Sequence, residues 1–272
     1  MKAASLSLYL TAARDIAREA GDLIRHHRAA GVDVRVKPAD VRELVTTADE
    51  AADTLIRARL EELFPGHAVI SEEGAEADPP LPDPETPTWI VDPLDGTSNF
   101  AHGLPTFSVS LGLWWRHRPW VGVVYEVVRG WLFWAAAGRG AWLDGRRLSV
   151  RRTETIAHAI LATDWTHSPE RRRLATRLFA RFVLSGHTAR SFGSAALGLS
   201  YVAAGWLDGY VNLGLSPWDA AAGTLLVQEA GGTVTTWDGT PWTPAHEVIV
   251  ATNGSLHADV IALVQDHLEE AT

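Results

Sequence analysis

Trp89-Ile90-Val91-Asp92-Pro93-Leu94-Asp95-Gly96-Thr97-Ser98-Asn99-Phe100 is the stretch around which the whole chain can be read. It begins as a short apolar run of strand formers. Pro93 has no N–H for a sheet ladder, so the strand is expected to stop there. Asp95-Gly96 is a turn signal, and Thr97 or Ser98 is placed to cap a following helix. The expected product is a strand end, a sharp corner and a helix start, with Asp92 and Asp95 at the corner. A helix start offers unpaired N–H groups and the positive end of the dipole, and both attract phosphate. Carboxylates beside it suit a hard cation such as Mg²⁺, which takes oxygen ligands and bridges to phosphate. Asp-Pro and Asp-Gly are also ordinary loop dipeptides, so these residues alone fit a plain turn equally well.

Upstream, Leu6, Leu10, Ala13, Ala17, Ala20 and Ile24 recur at helical spacing, which predicts an amphipathic helix of about six turns closed by Gly31. The polar stretch from Val32 to Glu43 contains Lys37-Pro38 and reads as a strand pair or a mobile loop. Thr47-Ala48-Asp49-Glu50 has the form of a capping box. The helix it opens continues through Ala52, Leu55, Ile56, Leu60 and Leu63 to Pro65-Gly66. Asp49 thus falls in a first helical turn, where a carboxylate favours the dipole without any catalytic role. Ala68-Val69-Ile70 is a short strand running into Ser71-Glu72-Glu73-Gly74. The proline-rich residues 75 to 88 read as a surface loop.

Downstream, Phe107 to Leu113 alternates with period two, strands follow at Trp120 to Val128 and Trp131 to Ala137, and Asp144-Gly145 makes a turn. This is an antiparallel meander. The first half, residues 1–150, is therefore two helices on a meander. Residues 151–272 alternate instead: strands at Ala159 to Thr163, His187 to Arg190, Gly209 to Leu213 and Val248 to Ala251. Helices are expected at Glu170 to Leu184, Ser194 to Ala204, from Ser216-Pro217 to Gly231-Gly232, and at Leu256 to Leu268. The fold class is α/β in layers.

At 272 residues, 46% apolar and 21% charged, the composition is that of an ordinary globular protein. A net charge of −9 argues against a general nucleic-acid binder, although bound cations can reverse the field locally around a phosphate substrate. The chain has no cysteine, which excludes disulfides, zinc–thiolate sites and a thiol nucleophile. Its eleven histidines show no metal-binding spacing, and its twelve tryptophans read as core filler. No apolar run is long enough for a membrane span, and the N-terminus makes a poor signal peptide, so a cytoplasmic location is expected.

Three motifs, in order, resemble those of the inositol monophosphatase family, within the larger group of Mg²⁺-dependent, lithium-sensitive phosphatases. Glu72-Glu73-Gly74 is similar to its strand-end acidic motif. Trp89 to Phe100 is similar to its Asp-Pro-(Ile/Leu)-Asp-Gly-Thr-x-Asn-Phe signature. Trp218-Asp219-Ala220-Ala221-Ala222-Gly223 with Glu229-Ala230-Gly231-Gly232 is similar to its C-terminal signature. Leu44 to Asp49 and Arg190 to Ala196 also fit, so the resemblance covers about residues 6–265. It implies one phosphatase domain over 1–272, an αβαβα sandwich, a homodimer, and hydrolysis of a small phosphate monoester with two to three Mg²⁺ ions per site. Carried over, Glu72, Asp92, the carbonyl of Leu94, Asp95 and Asp219 would hold metal. Asp49 and Thr97 would activate the attacking water, assisted at the metal by Glu72. Gly96 and Thr97 N–H groups would hold phosphate, while Gly193, Ser194, Ala195 and Asn212, with Asp95 and Asp219, would face the alcohol. Lys37 would sit on a mobile loop over the site.

Physics makes this set coherent, because several converging acids are untenable unless cations or protons relieve them. One position departs from the pattern. Asn212 stands where many inositol-specific members carry glutamate, and asparagine accepts hydrogen bonds without the charge. Inositol 1-phosphate is the first expectation for substrate. Fructose 1,6-bisphosphate, histidinol phosphate and NADP or another nucleotide phosphate are alternatives, as is a regulator that keeps the fold without the chemistry.

Overall fold

The computed structural model describes residues 3–31, 33–36, 44–74, 83–166 and 168–269. Helix α1 spans Ala3–Ala30, and Gly31 follows it at φ +106°. Strands β1 (Val34–Val36) and β2 (Leu44–Thr46) pair antiparallel, and α2 (Thr47–Leu63) starts directly from β2. Strands β3 (Ala68–Ser71), β4 (Thr88–Asp95), β5 (Ser108–Trp115), β6 (Arg118–Glu126), β7 (Trp131–Ala136), β8 (Ala141–Leu143) and β9 (Arg146–Arg147) line up in sequence order, and with β5–β7 as the expected antiparallel meander they make one seven-stranded sheet. The short helix α3 (Thr97–Ala101) interrupts it after β4. Strands β3 and β4 are parallel, and every later pair in this sheet is antiparallel.

The second half contains β10 (Ile160–Thr163), α4 (Pro169–Ser185), β11 (Thr188–Arg190), α5 (Ala195–Ala203), β12 (Gly209–Asn212), α6 (Pro217–Glu229), β13 (Thr233–Thr235), β14 (Ile249–Thr252) and α7 (His257–Glu269). Its sheet runs β11-β10-β12-β14-β13. Alternating helices and strands predict a parallel sheet, and β11-β10-β12 is parallel. The other two pairings are antiparallel: β14 runs against β12, and β13, a strand the sequence pattern does not predict, runs against β14.

Three apolar clusters hold five layers together. The first joins α1 and α2 to one face of the larger sheet around Ile16, Ile56, Trp89 and Leu111. The second fills the space between the sheets with α5 and α6, around Leu197, Leu226, Phe133 and Tyr210. The third seats α4 and α7 on the outer face of the smaller sheet, around Phe182, Leu178 and Val260. This is the αβαβα layering. Among the described residues no helix is long and apolar enough to cross a membrane.

The middle layer packs closely for a reason written in small residues. Gly112 and Gly122 face each other across β5 and β6, and a Cβ on Gly122 would lie 2.4 Å from the Ala222 carbonyl oxygen. The Ala220-Ala221-Ala222-Gly223 run therefore lets α6 sit directly on the sheet, and Trp114 Nε1 donates to the Ala221 carbonyl (3.1 Å) to fix it there.

Three local expectations are corrected. Pro93 does not end its strand. β4 runs on to Asp95 because the register with β5 shifts between Asp92 and Asp95, and this bulge absorbs a residue that cannot donate to the ladder. The cap of α3 is neither Thr97 nor Ser98 but Gly96, which takes the left-handed conformation (φ +96°). The capping box of α2 lies one residue earlier than the spacing suggested, with Thr46 as cap and Asp49 reaching back to it. Lys37 lies outside the described residues.

Candidate active site

Each acid at the site is placed by a local device. Asp92 and Asp95 flank the β4 bulge, which turns both toward one end of the sheet. Asp49 is the third residue of α2, and its Oδ2 accepts the Thr46 N–H (2.8 Å) and hydroxyl. Asp219 repeats the arrangement at α6, where its Oδ2 accepts the Ser216 N–H (2.7 Å). Glu72 opens the short 3₁₀ turn that follows β3.

Asp92, Asp95 and Asp219 each present a carboxylate oxygen, and all three oxygens lie within 4.8 Å of one another. They could hold a metal ion. They line a cavity of about 760 Å³ together with Glu72, Leu94, Gly96, Thr97, Gly193, Ser194, Ala195 and Asn212. Glu72 does not belong to the tight trio, but its charge acts on Asp92. Asp49 stands behind the wall, where its Oδ1 accepts the Thr97 hydroxyl at 2.9 Å; the Leu94 carbonyl lies 3.0 Å from the same Oγ1.

Electrostatic cost is concentrated here. Burial, then Glu72, Asp95 and Asp219, pushes the Asp92 carboxyl well above the usual carboxylate range. Burial pushes Asp95 up to about 6, although bonds from Ser194, Ser108 and Ala195 pull the other way. Burial likewise raises Asp49 to about 6 against its bonds from Thr46 and Thr97.

Asp95 also ties the two halves of the chain. Its oxygens accept the hydroxyls of Ser108 (3.1 Å) and Ser194 and the N–H groups of Ala195 and Ala196 (both 3.1 Å) at the start of α5. A carboxylate at a helix N-terminus is well placed electrostatically.

Comparison with known proteins agrees with this geometry. The profile of the family described as "Inositol monophosphatase family" matches residues 5–269. The chain belongs to the inositol monophosphatase family. It is 38% identical over 246 residues to an inositol-1-monophosphatase of Bacillus subtilis, covering 89% of this chain and 91% of that one. It is equally 38% identical over 255 residues to the Nus factor SuhB of Pseudomonas aeruginosa, covering 93% and 94%. A solved inositol monophosphatase structure from Thermotoga maritima superposes with a TM-score of 0.86 at 31% identity, covering 96% of this chain and 98% of that one.

Within the family fold, Asn212 is more committed than its position on the cavity wall suggests. Its Nδ2 donates to the Tyr210 hydroxyl (3.2 Å), and its Oδ1 accepts the Gly214 N–H (3.1 Å). Sequence reasoning gave no part to Asn99 or Asp164. Asn99 Nδ2 lies 2.7 Å from both the Thr106 and Phe192 carbonyls, so it clips the corner after β4 to the loop before α5. Asp164 Oδ1 accepts the Ser191 hydroxyl and the Phe192 and Gly193 N–H groups (2.7–2.8 Å), and its Oδ2 accepts the Tyr210 hydroxyl. An acid just past the end of a strand in an α/β layer is the signal that could have found Asp164. Asn99 was already inside the quoted signature.

Proposed function

We propose that the protein hydrolyses a small phosphate monoester with Mg²⁺, inositol 1-phosphate being the first substrate to test. The observation that carries this reading is the convergence of Asp92, Asp95 and Asp219, from distant segments, on the floor of a cavity beside the Gly96-Thr97 corner. At 4.8 Å each charged pair would repel by about 3 kcal/mol at an effective dielectric near 20. The donors, Glu72, Asp92, the Leu94 carbonyl, Asp95 and Asp219, are all hard oxygens of the kind Mg²⁺ takes, with room in the reading for two to three ions. When bound, Mg²⁺ would neutralise these acids and make a coordinated water more acidic.

The chain's own groups would do the rest. First-turn N–H groups at Gly96 and Thr97 would hold phosphate oxygens. Thr97 Oγ1, with its proton directed at Asp49 Oδ1, keeps lone pairs to accept from the attacking water, and Asp49 takes up the charge. Gly193, Ser194, Ala195 and Asn212 would face the alcohol, along with Asp95 and Asp219. The test is phosphate release, in Mg²⁺ and in EDTA, from inositol 1-phosphate, fructose 1,6-bisphosphate, histidinol phosphate and NADP. No Mg²⁺-dependent release from any of them refutes the reading. A homodimer belongs to the same reading, and sedimentation checks it.

A second reading has its own observation, the likeness to proteins called Nus factor SuhB. On it the fold serves a partner and the acids are a remnant. Robust Mg²⁺-dependent turnover that Asp92→Asn abolishes would speak against it.

A further inference from the structure

One glycine of the sequence motifs has no backbone reason to be a glycine. Gly74 closes the Glu72-Glu73-Gly74 turn, and unlike Gly96 it does not take a positive φ. A Cβ there would instead lie 1.9 Å from Nη2 of Arg57 and 2.6 Å from its Cζ. Bare backbone is what lets a guanidinium lie against this turn.

The guanidinium is itself held in place. Arg57 Nε donates to both oxygens of Asp53, one helical turn earlier on α2, at 3.0 and 2.9 Å. Asp53 is buried, and its Oδ1 also accepts the hydroxyl of Ser71, the last residue of β3. The 3₁₀ turn is thus gripped on both sides of Glu72, at Ser71 by Asp53 and at Gly74 by Arg57, while the two gripping residues hold each other. Asp49, Asp53 and Arg57 recur every fourth residue, so one face of α2 presents them in a row. The first reaches Thr97, and the other two reach the turn that carries Glu72.

Glu72 needs such support. It is half-buried, it lines the cavity, and it stands apart from the tight trio of Asp92, Asp95 and Asp219. Its turn is three residues long, and so short a 3₁₀ element has little hydrogen bonding of its own. A metal ligand on such an element keeps its place only if something outside holds it, and supports of this kind are worth about 10–100-fold in metal affinity. Neither Asp53 nor Arg57 lines the cavity.

We propose that Asp53 and Arg57 are positioning residues for Glu72, setting how tightly the site holds Mg²⁺ without touching ion or substrate. This rests on the phosphatase reading above and adds to it a pair of residues outside the cavity. Charge alone predicts the opposite sign. A guanidinium near a cation site repels the ion, so by Coulomb's law its removal would tighten Mg²⁺ binding. Where Arg57 positions Glu72, its removal loosens binding instead.

The test measures Mg²⁺ binding by calorimetry, with the Mg²⁺ concentration for half-maximal phosphate release on the same samples. Arg57→Met keeps the apolar stem and removes the fork; it should weaken Mg²⁺ binding about tenfold and leave kcat at saturating Mg²⁺ within about twofold. Gly74→Ala alters no charge but forces the Arg57 fork away, and should weaken binding by a similar factor. In an Arg57→Met background the same Gly74→Ala change should have no further effect, because nothing remains to be displaced. Arg59→Gln removes the same charge from α2 at an exposed position paired with Glu19 and Glu62, and should leave Mg²⁺ binding as it was. Tighter or unchanged binding in Arg57→Met overturns the proposal, and so does a full Gly74→Ala effect in the absence of the guanidinium. A lower Tm in EDTA with unaltered Mg²⁺ affinity assigns the pair to folding alone and overturns it as well. If Arg57→Met does not fold, Gly74→Ala decides by itself: weaker Mg²⁺ binding supports the proposal and unchanged binding overturns it. No Mg²⁺ uptake by the unmodified protein brings down the phosphatase reading itself, and this proposal with it.

Discussion

Asp92→Asn should stabilise the protein and disable it at once. The Asp92 side chain is fully buried, and its visible hydrogen bond is from the Leu94 N–H at 3.0 Å. Its repulsion from either neighbour in the trio is about 3 kcal/mol if both are charged. Asp92 relieves part of that by holding its own proton, since burial and the neighbouring acids push its carboxyl well above the usual range, so the net gain in EDTA near pH 8 should be about 1–3 kcal/mol. For a chain of this length that raises Tm by roughly 2–8 °C. The new amide also finds acceptors in the surrounding carboxylates. With Mg²⁺ the order should reverse. Binding at 100 times Kd contributes about 2.7 kcal/mol to the unmodified protein and much less to the variant. Paired thermal melts in EDTA and in Mg²⁺, with phosphate release on the same samples, read all three effects. If the unmodified protein melts higher than the variant in EDTA, the charge on Asp92 is already compensated inside the protein, and the case for a cation site fails.

Asp49 and Asp95 predict a pH slope of the same origin. Both are raised from 3.8 to about 6 in the folded chain, so their contribution is fully present below about pH 4 and lost as pH rises through 6. Each shift corresponds to about 3 kcal/mol at full effect; Tm in EDTA should fall between pH 5 and pH 7.5, and a flat profile would contradict the burial argument. Thr97→Val removes the hydroxyl shared between Asp49 and the Leu94 carbonyl and should lower kcat by about 10²-fold with KM nearly unchanged, checked by steady-state kinetics. Asn99→Ala leaves the Thr106 and Phe192 carbonyls without their donor and should cost about 2 kcal/mol in urea unfolding. Asn212→Glu should move substrate preference toward inositol phosphate, at about 1–3 kcal/mol of stability for the lost donor to Tyr210; an unchanged ranking would remove Asn212 from specificity.

The layered fold was legible because its signals are local and repeated: period-two strands in the meander, helical spacing in α1, Ser216-Pro217 at the start of α6. The acids were legible because they sit in motifs. What escaped depends on contacts between distant segments. Whether Thr46 or Thr47 caps α2 is a near tie in sequence, settled by the pairing of β2 and by Asp49 reaching both Thr46 and Thr97. Pro93 looks like a strand terminator unless the bulge opposite Val109 is known. Asp164 and Asn99 matter because they close loops from the other half, and no spacing along the chain encodes that.

The double duty of the site acids bears on how this protein's relatives can diverge. Asp219 and Asp49 finish the first turns of their helices, and Asp95 joins the two halves, so each has a structural use that offsets part of the cost of burying it. Asp92 has little such employment beyond the bond from the Leu94 N–H, while burial and three neighbouring acids push it further than the others. A lineage that gave up hydrolysis would drift first at position 92 and keep the other acids for generations. Survival of most of the signature in a descendant is therefore weak testimony to turnover, and the residue following Val91 is the one to inspect.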